Sequence, residues 1–413
     1  MKLSLKELAI PVIKSIDSFN YLLKSHHRRT AVIAYHLGKA MGLTNDELFL
    51  LIVAAALHDV GALSIQDRDM LVQVDVENPL PHCVMGYQML SSFDAFKDIA
   101  HIVRHHHIQY SDYVQTPEKI PFQSHLVHFA DRVDVLISQD EFILNQKARV
   151  TESLKSRVGT VFHPEVFAAF EKASKADIFW IEINNLEIEQ LFKRINFSID
   201  FELTIDNVVE FSLMLSRIID FRSRFTASHS YTVGQLSYLL GHIFGCDELE
   251  CKKLLISGYL HDIGKLGIDP SIIEKHGPLT EEEFNQMKLH SYYTGQILQE
   301  LSHSEWFHDI IIWAERHHEK VSGNGYPYSL SGDDLDMKCK IVAFADVISA
   351  LMEERPYRQG MPIHDCFALI QDKIATGISL EMFDEIKKYS HDIDAVVHQC
   401  HQQTDAVFSS VHP

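Results

Sequence analysis

An internal repeat constrains this chain more than any other feature. Leu57-His58-Asp59-Val60-Gly61-Ala62-Leu63 and Leu260-His261-Asp262-Ile263-Gly264-Lys265-Leu266 match almost position for position. The same offset holds upstream, where His26, Tyr35 and Gly38 pair with His229, Tyr238 and Gly241. Downstream the offset drifts through loops of unequal length, yet Phe129-Ala130-Asp131 still mirrors Phe344-Ala345-Asp346. A chain of 413 residues with this pattern is a tandem duplication, and each copy closes a core of its own.

The local patterns are helical throughout. Thr44 with Glu47, Asp247 with Glu250 and Thr280 with Glu283 have capping-box spacing, each before an apolar periodic run. Gly61 and Gly264 are expected to stop the helices that carry the His-Asp pairs. After Thr280, the stripe Phe284, Met287, His290, Ile297, Leu301 places His290 on a buried face. No run alternates as a strand does. The expected fold is therefore all-α: two tandem helical bundles, residues 1–190 and 200–413, joined by a helical connector between about Ile178 and Phe211.

The chain holds 26 histidines, many beside an Asp or another His. In the second copy the candidate metal ligands are His229, His261, Asp262, His290, His317, His318 and Asp346. Helices of a bundle can aim such residues at one interior point. Imidazole and carboxylate without thiolate suit iron, manganese or another first-row ion better than a structural zinc. Seven ligands exceed the needs of one ion. Two ions about 3.5–4 Å apart, bridged by Asp262 and a water or hydroxide, would use them all. A lone buried histidine is more often a hydrogen-bonded core residue than a ligand, but here His, His-Asp, His, His-His and Asp recur in one order in both copies.

His261-Asp262 followed by Gly264-Lys265, then His317-His318-Glu319 and Gly323-Asn324-Gly325-Tyr326-Pro327, resembles the HD-GYP family of bacterial cyclic dinucleotide phosphodiesterases within the HD superfamily. Arg355-Pro356-Tyr357-Arg358 matches a further element of that family. The resemblance covers roughly residues 220–390. It implies two tandem HD-type helical bundles, a metal centre built from the seven residues above, and hydrolysis of cyclic di-GMP or 3′,3′-cyclic GMP-AMP to a linear dinucleotide by a metal-bridging hydroxide. Members with three metals have a Glu four residues before the first ligand His; Phe225 stands there in this chain, so two divalent ions are expected. Asp262 is assigned as the bridging catalytic carboxylate, and Lys265 is expected to contact a phosphate oxygen or the hydroxide. Gly325, Tyr326 and Pro327 are candidate substrate contacts, with the Tyr326 ring lining a purine pocket. Arg355 and Arg358 are candidates for holding the second phosphate.

The first copy keeps every ligand type, in His26, His58, Asp59, His82, His105, His106 and Asp131, which form a second candidate metal site. Ala62 replaces Lys265, and Ile108-Gln109-Tyr110-Ser111-Asp112-Tyr113 replaces the GYP loop. Gln139-Asp140-Glu141-Phe142 stands where the arginine element would be. This copy is expected to regulate or support the other, through contact with the catalytic domain or in a homodimer, and not to hydrolyse substrate itself.

Lys plus Arg number 37 against 57 for Asp plus Glu, a formal net charge of −20. That field disfavours polymeric nucleic acid as a partner. A small anionic substrate remains compatible, because metal ions dominate the charge of a local site. No apolar run approaches the roughly 20 residues of a membrane span, and no secretory leader is recognisable, so a cytoplasmic protein without membrane contact is expected. The six cysteines have no CxxC pair and read as reduced thiols. Two other functions compete: a mononucleotide or alarmone phosphohydrolase, against which the GYP loop argues, and a catalytically silent nucleotide-sensing scaffold, against which Lys265 argues.

Overall fold

The computed structural model describes residues 5–19, 25–62, 80–115, 120–196, 204–220, 227–275, 277–300, 305–354, 359–373 and 380–409. Among them the regular structure is helical; the β pairings are isolated bridges, Val158 with Phe162 and Ser322 with Ser331. Two compact units divide the chain, Met1–Leu203 and Thr204–Pro413. No described helix is long and apolar enough to cross a membrane.

In the first unit, α1 spans Leu5–Phe19, α2 His26–Met41, α3 Asn45–Ala56, α4 Leu80–Leu90, α5 Lys97–Arg104 and α6 Phe122–Val135. The Thr44–Glu47 box is complete: each side chain bonds the other's backbone N–H, satisfying donors that the first turn leaves open. α2 packs against α3 and α6, and its Ala31 to Ala34 stretch is fully buried. Two later helices, α7 (Asp177–Asn185) and α8 (Ile188–Lys193), fall within the stretch expected as a connector. They instead belong to this core. Phe179, Trp180 and Phe192 are fully buried, and the Arg28 guanidinium donates to the carbonyls of Ile183 and Leu186 at 3.3 and 2.7 Å. Aromatic surface of that size is costly to leave in water, so the segment folds back onto α2.

In the second unit, α9 spans Ile205–Asp220, α10 His229–Ile243, α11 Glu248–Leu260, α12 Glu281–Met287, α13 Leu289–Glu300, α14 His308–Glu315, α15 Met337–Met352 and α16 Ser390–Ser409. α10 is the central helix, packed by α11, α15 and α16. Its Val233, Leu236 and Leu240 meet Leu254, Val342, Ile348 and Val397 in one cluster. Both expected capping boxes form, at Asp247–Glu250 and Thr280–Glu283.

Two expectations need correction. Gly61 and Gly264 do not stop helices; α3 ends at Ala56 and α11 at Leu260. Their role is close approach. A Cβ on Gly264 would lie 1.9 Å from the His290 carbonyl oxygen, and one on Gly61 would lie 2.1 Å from that of His82. Only glycine lets the turn after each His-Asp pair press against the backbone that carries the next histidine. Second, the helix from Thr280 breaks at Lys288, which changes the phase of the apolar stripe. His290 is buried as expected, but Phe284 is 45% exposed. Leu301 lies outside the described residues.

Candidate metal centre

All the candidate ligands of the second unit but Asp346 sit where a helix begins or ends. His229 is the first residue of α10, His261 and Asp262 directly follow α11, His317 and His318 follow α14, and Asp346 lies within α15. Three of the imidazoles are oriented in one way. Nδ1 of His261, His290 and His317 bonds the carbonyl three residues earlier, Gly258, Met287 and Ala314, at 2.7, 2.6 and 2.6 Å. This fixes the tautomer that leaves Nε2 as an electron-pair donor, as metal-ligating histidines require.

The Asp262 carboxylate organises the centre. Its Oδ2 lies 3.2 Å from His261 Nε2 and 3.7 Å from His229 Nε2, and its Oδ1 lies 3.4 Å from His290 Nε2. Asp346 Oδ1 joins the first side, 3.2 Å from His229 Nε2. On the other side, His290 and His317 bring their Nε2 atoms within 3.3 Å, and the His318 ring is 4.0 Å from that of His317. The donors form three groups: His229, His261 and Asp346; His290, His317 and His318; and His261, Asp262 and His317, which takes one imidazole from each of the other two.

This donor set fits metal ions. His261 Nε2 is buried and makes no hydrogen bond, which is costly unless a ligand takes it up. Burial opposes charge on His317 and His318, and neighbouring histidines oppose it further; His318 is pushed down to about 3. Both rings are therefore neutral and able to ligate. His229 goes the other way: burial disfavours its charge, but Glu353 and Asp346 outweigh that and raise it to about 10. The carboxylates there favour positive charge, which a divalent cation satisfies better than a proton. Asp262 is held well below the ordinary carboxylate range despite burial, chiefly by Lys265 and His261.

Lys265, in the tight turn Ile263–Gly267, forms an ion pair with Asp262 Oδ2. The GYP loop reaches the same place. Tyr326 packs over His318 with ring centroids 4.7 Å apart and planes at 37°, and its N–H donates to the His318 carbonyl. A Cβ on Gly325 would fall 2.5 Å from the Glu319 Cα, so this approach also requires glycine. Arg355, Arg358 and Phe225 lie outside the described residues.

Several supporting residues were not anticipated. Glu353 accepts from His229 Nδ1 at 3.0 Å, with the Ser349 hydroxyl donating to the same carboxylate. Thr294 fixes the turn after the His-Asp pair, donating to the His261 carbonyl and accepting from Gly264 N–H. The buried Glu319 accepts from Tyr328 and Leu330 N–H and so anchors the GYP loop. Asp220 accepts from the backbone and hydroxyl of Ser230 at the start of α10.

The first unit repeats the architecture with altered parts. His26, His58, Asp59, His82, His106 and Asp131 converge: Asp59 Oδ2 lies 3.1 Å from His58 Nε2, and Oδ1 lies 3.5 and 3.6 Å from His82 and His106 Nε2. His105 does not belong to the set; His107 replaces it, grouped with Asp59, His82 and His106. The reason is helical phase. α5 ends at Arg104 with His105 as its cap residue, as α14 ends at Glu315 with Arg316, and the ligand pair comes next in both. His58 Nε2, Asp59 Oδ1, His107 Nε2 and Asp131 Oδ1 are buried without a hydrogen bond. In place of Lys265, the buried Ala62 follows the turn, and Arg132 on α6 donates to Asp131 Oδ2 at 3.0 and 2.6 Å.

Residues 23–136 and 213–377 each match the HD domain family. Across 403 residues the chain is 26% identical to the 3′3′-cGAMP-specific phosphodiesterase 1 of Vibrio cholerae, covering 94% of this chain and 92% of that one. A second V. cholerae protein, 3′3′-cGAMP-specific phosphodiesterase 3, is 30% identical over 66% of this chain; the match spans 57% of that relative's length. The fold resembles the crystal structure of a cyclic GMP-AMP specific phosphodiesterase from V. cholerae, with a TM-score of 0.61 over 96% of this chain and 98% of the other at 22% identity. This chain therefore belongs to the HD-domain family, with two such domains in tandem, the second of them of the HD-GYP kind.

Proposed function

We propose that the second unit is a metal-dependent phosphodiesterase that opens a 3′,3′ cyclic dinucleotide to the linear dinucleotide, with 3′,3′-cyclic GMP-AMP as substrate and cyclic di-GMP as the alternative. The observation that carries this reading is the placement of Asp262 between two groups of imidazoles, with Lys265 and the Tyr326 loop beside it. The choice of cyclic GMP-AMP rests on the relative specific for it, which matches over nearly the whole chain. The cyclic di-GMP phosphodiesterase of Thermotoga maritima matches over 60%.

His229, His261, Asp262 and Asp346 would hold one divalent ion, and Asp262, His290, His317 and His318 a second; iron or manganese suits these donors. Such ions supply an activated water and neutralise charge that develops on the phosphate. The chain's own groups do the rest. Lys265 places an ammonium where a phosphate oxygen arrives, Glu353 keeps His229 aimed inward, and Gly325, Tyr326 and Pro327 form the wall for a base. Arg355 and Arg358 are assigned to the second phosphate on the family resemblance. The first unit is a metal-binding regulatory domain, with His26, His58, Asp59, His82, His106, His107 and Asp131 as its ligands and no counterpart of Lys265 or the GYP loop.

Incubation of the metal-loaded protein with each cyclic dinucleotide, followed by chromatography, tests the reading. Conversion of cyclic GMP-AMP to its linear form is expected; no conversion of either dinucleotide by protein carrying two equivalents of metal in this unit would sink it.

A further inference from the structure

Phe284 is a large apolar side chain left 45% exposed, and it stands beside the metal centre. Its ring meets Tyr326 edge to face, with centroids 6.5 Å apart and planes at 86°. Tyr326 in turn covers His318 and lies 6.4 Å from His290. The two aromatic rings thus form a right-angled corner over one group of metal-binding histidines. The corner is held open from both sides. Thr280 caps the helix that carries Phe284, and Lys288 places its ammonium 4.9 Å from the centre of the phenyl ring while donating to Asn285 Oδ1 at 3.0 Å. Glu319 and the His318 carbonyl hold the loop that carries Tyr326.

The ring keeps its contacts with Tyr326 and the Lys288 ammonium and is still 45% exposed, and a planar ligand that covers it would bury that apolar surface. The ligand must also bring a phosphate to the histidines below. A purine nucleotide meets both requirements, because every base has a π-face and stacking on aromatic side chains is the common means of holding unpaired bases. We propose that Phe284 is a base-binding residue which, with Tyr326, forms the seat for one purine of the substrate and so sets its preference for nucleotides over simple phosphate esters. This inference rests on the functional reading above, and it adds to it a residue outside the HD, HHE and GYP motifs.

The test uses the full-length, metal-loaded protein with Phe284→Ala and Phe284→Trp. Kinetics on cyclic GMP-AMP are combined with calorimetric titration of GMP and of ribose 5-phosphate, which carries the phosphate without a base. Phe284→Ala is expected to raise KM for the dinucleotide and Kd for GMP by about tenfold, the scale of one lost stacking contact. Its kcat should move much less, Kd for ribose 5-phosphate should stay the same, and Phe284→Trp should restore GMP binding. Equal weakening of GMP and ribose 5-phosphate would mean that the ring only supports the fold and would overturn the proposal, as would unchanged GMP binding. Selective loss of GMP binding in a protein that cleaves no cyclic dinucleotide would leave the base seat standing and reject the functional reading instead.

Discussion

His229 gives its Nδ1 hydrogen to Glu353, which lies one helical turn beyond Ser349 on α15 and its C-terminal extension. In the first unit the equivalent His26 gives its Nδ1 hydrogen to Asp134 at 2.7 Å, and Asp134 is also held by Arg29 at 2.6 and 2.9 Å. The two units orient the same ligand with carboxylates at different positions, Glu353 bonded also by the Ser349 hydroxyl and Asp134 bonded also by the Arg29 guanidinium. A carboxylate that accepts from the far ring nitrogen orients a ligating imidazole and makes it a stronger donor to a cation. Glu353→Ala is therefore expected to weaken metal binding in the second unit by about 10- to 100-fold, the usual scale for a lost orienting partner. Metal titration followed by elemental analysis checks it, and unchanged affinity would show that His229 is held by Ser349 and packing alone.

Lys265 contacts the carboxylate that lies between the two groups of histidines, and an ammonium has no electron pair with which to ligate an ion. Its replacement by Ala should lower turnover of the cyclic dinucleotide by about 100-fold, as for one preorganised donor at a site of developing charge. The metal content should stay at the wild-type level. Joint loss of metal and turnover would assign Lys265 to holding Asp262 in place.

The helical class, the duplication, all seven candidate ligands of the second unit and six of the seven in the first follow from motifs and periodicity, because spacing along a helix translates directly into a shared face. What failed depended on the third dimension. His105 and His106 mirror His317 and His318 only if the triplet His105-His106-His107 is counted from its first member; where α5 ends decides the register, and that end carries no cap signal. Phe284 fits the buried stripe until the helix breaks at Lys288. Glu353, Thr294 and Asp134 act through contacts across long sequence separations, and nothing in their neighbours marks them. Gly61 and Gly264 were legible as constrained positions, but the constraint is a neighbouring backbone that would stand about 2 Å from any Cβ, and not a helix end.

Acid should destabilise the first unit through a histidine outside its metal cluster. His125 on α6 is 3% exposed and its Nε2 makes no hydrogen bond. Burial, with His163 nearby, lowers it to about 4. The unfolded chain therefore binds more protons than the folded one between about pH 6.5 and 4. Stability is retained above the ordinary histidine value and lost as pH falls through that window, by at most ~1.4 kcal/mol per pH unit for this one proton. His125→Phe should flatten the dependence, read as the thermal midpoint of the first unit against pH in the presence of a chelator. A wild-type slope that this change leaves untouched would place the acid sensitivity elsewhere.

The division of labour between the units is tested by removing the same pair of residues from each. In the second unit, His261→Ala with Asp262→Ala takes away one imidazole and the shared carboxylate, so both candidate ion sites lose donors and hydrolysis should fall to background. In the first unit, His58→Ala with Asp59→Ala does the equivalent damage, but no lysine and no GYP loop depend on it. The chemical step should survive there, with kcat on the cyclic dinucleotide within about threefold of wild type, since unrelated sites contribute nearly additively. The loss should appear instead as lower thermal stability and fewer bound metal ions, because an ion that joins helices contributes folding free energy. Both variants are to be compared with wild type on one substrate preparation, with metal content measured on each. Turnover that persists in the first comparison and vanishes in the second would move the active site to the N-terminal unit, with Arg132 beside Asp131 standing in for the missing lysine.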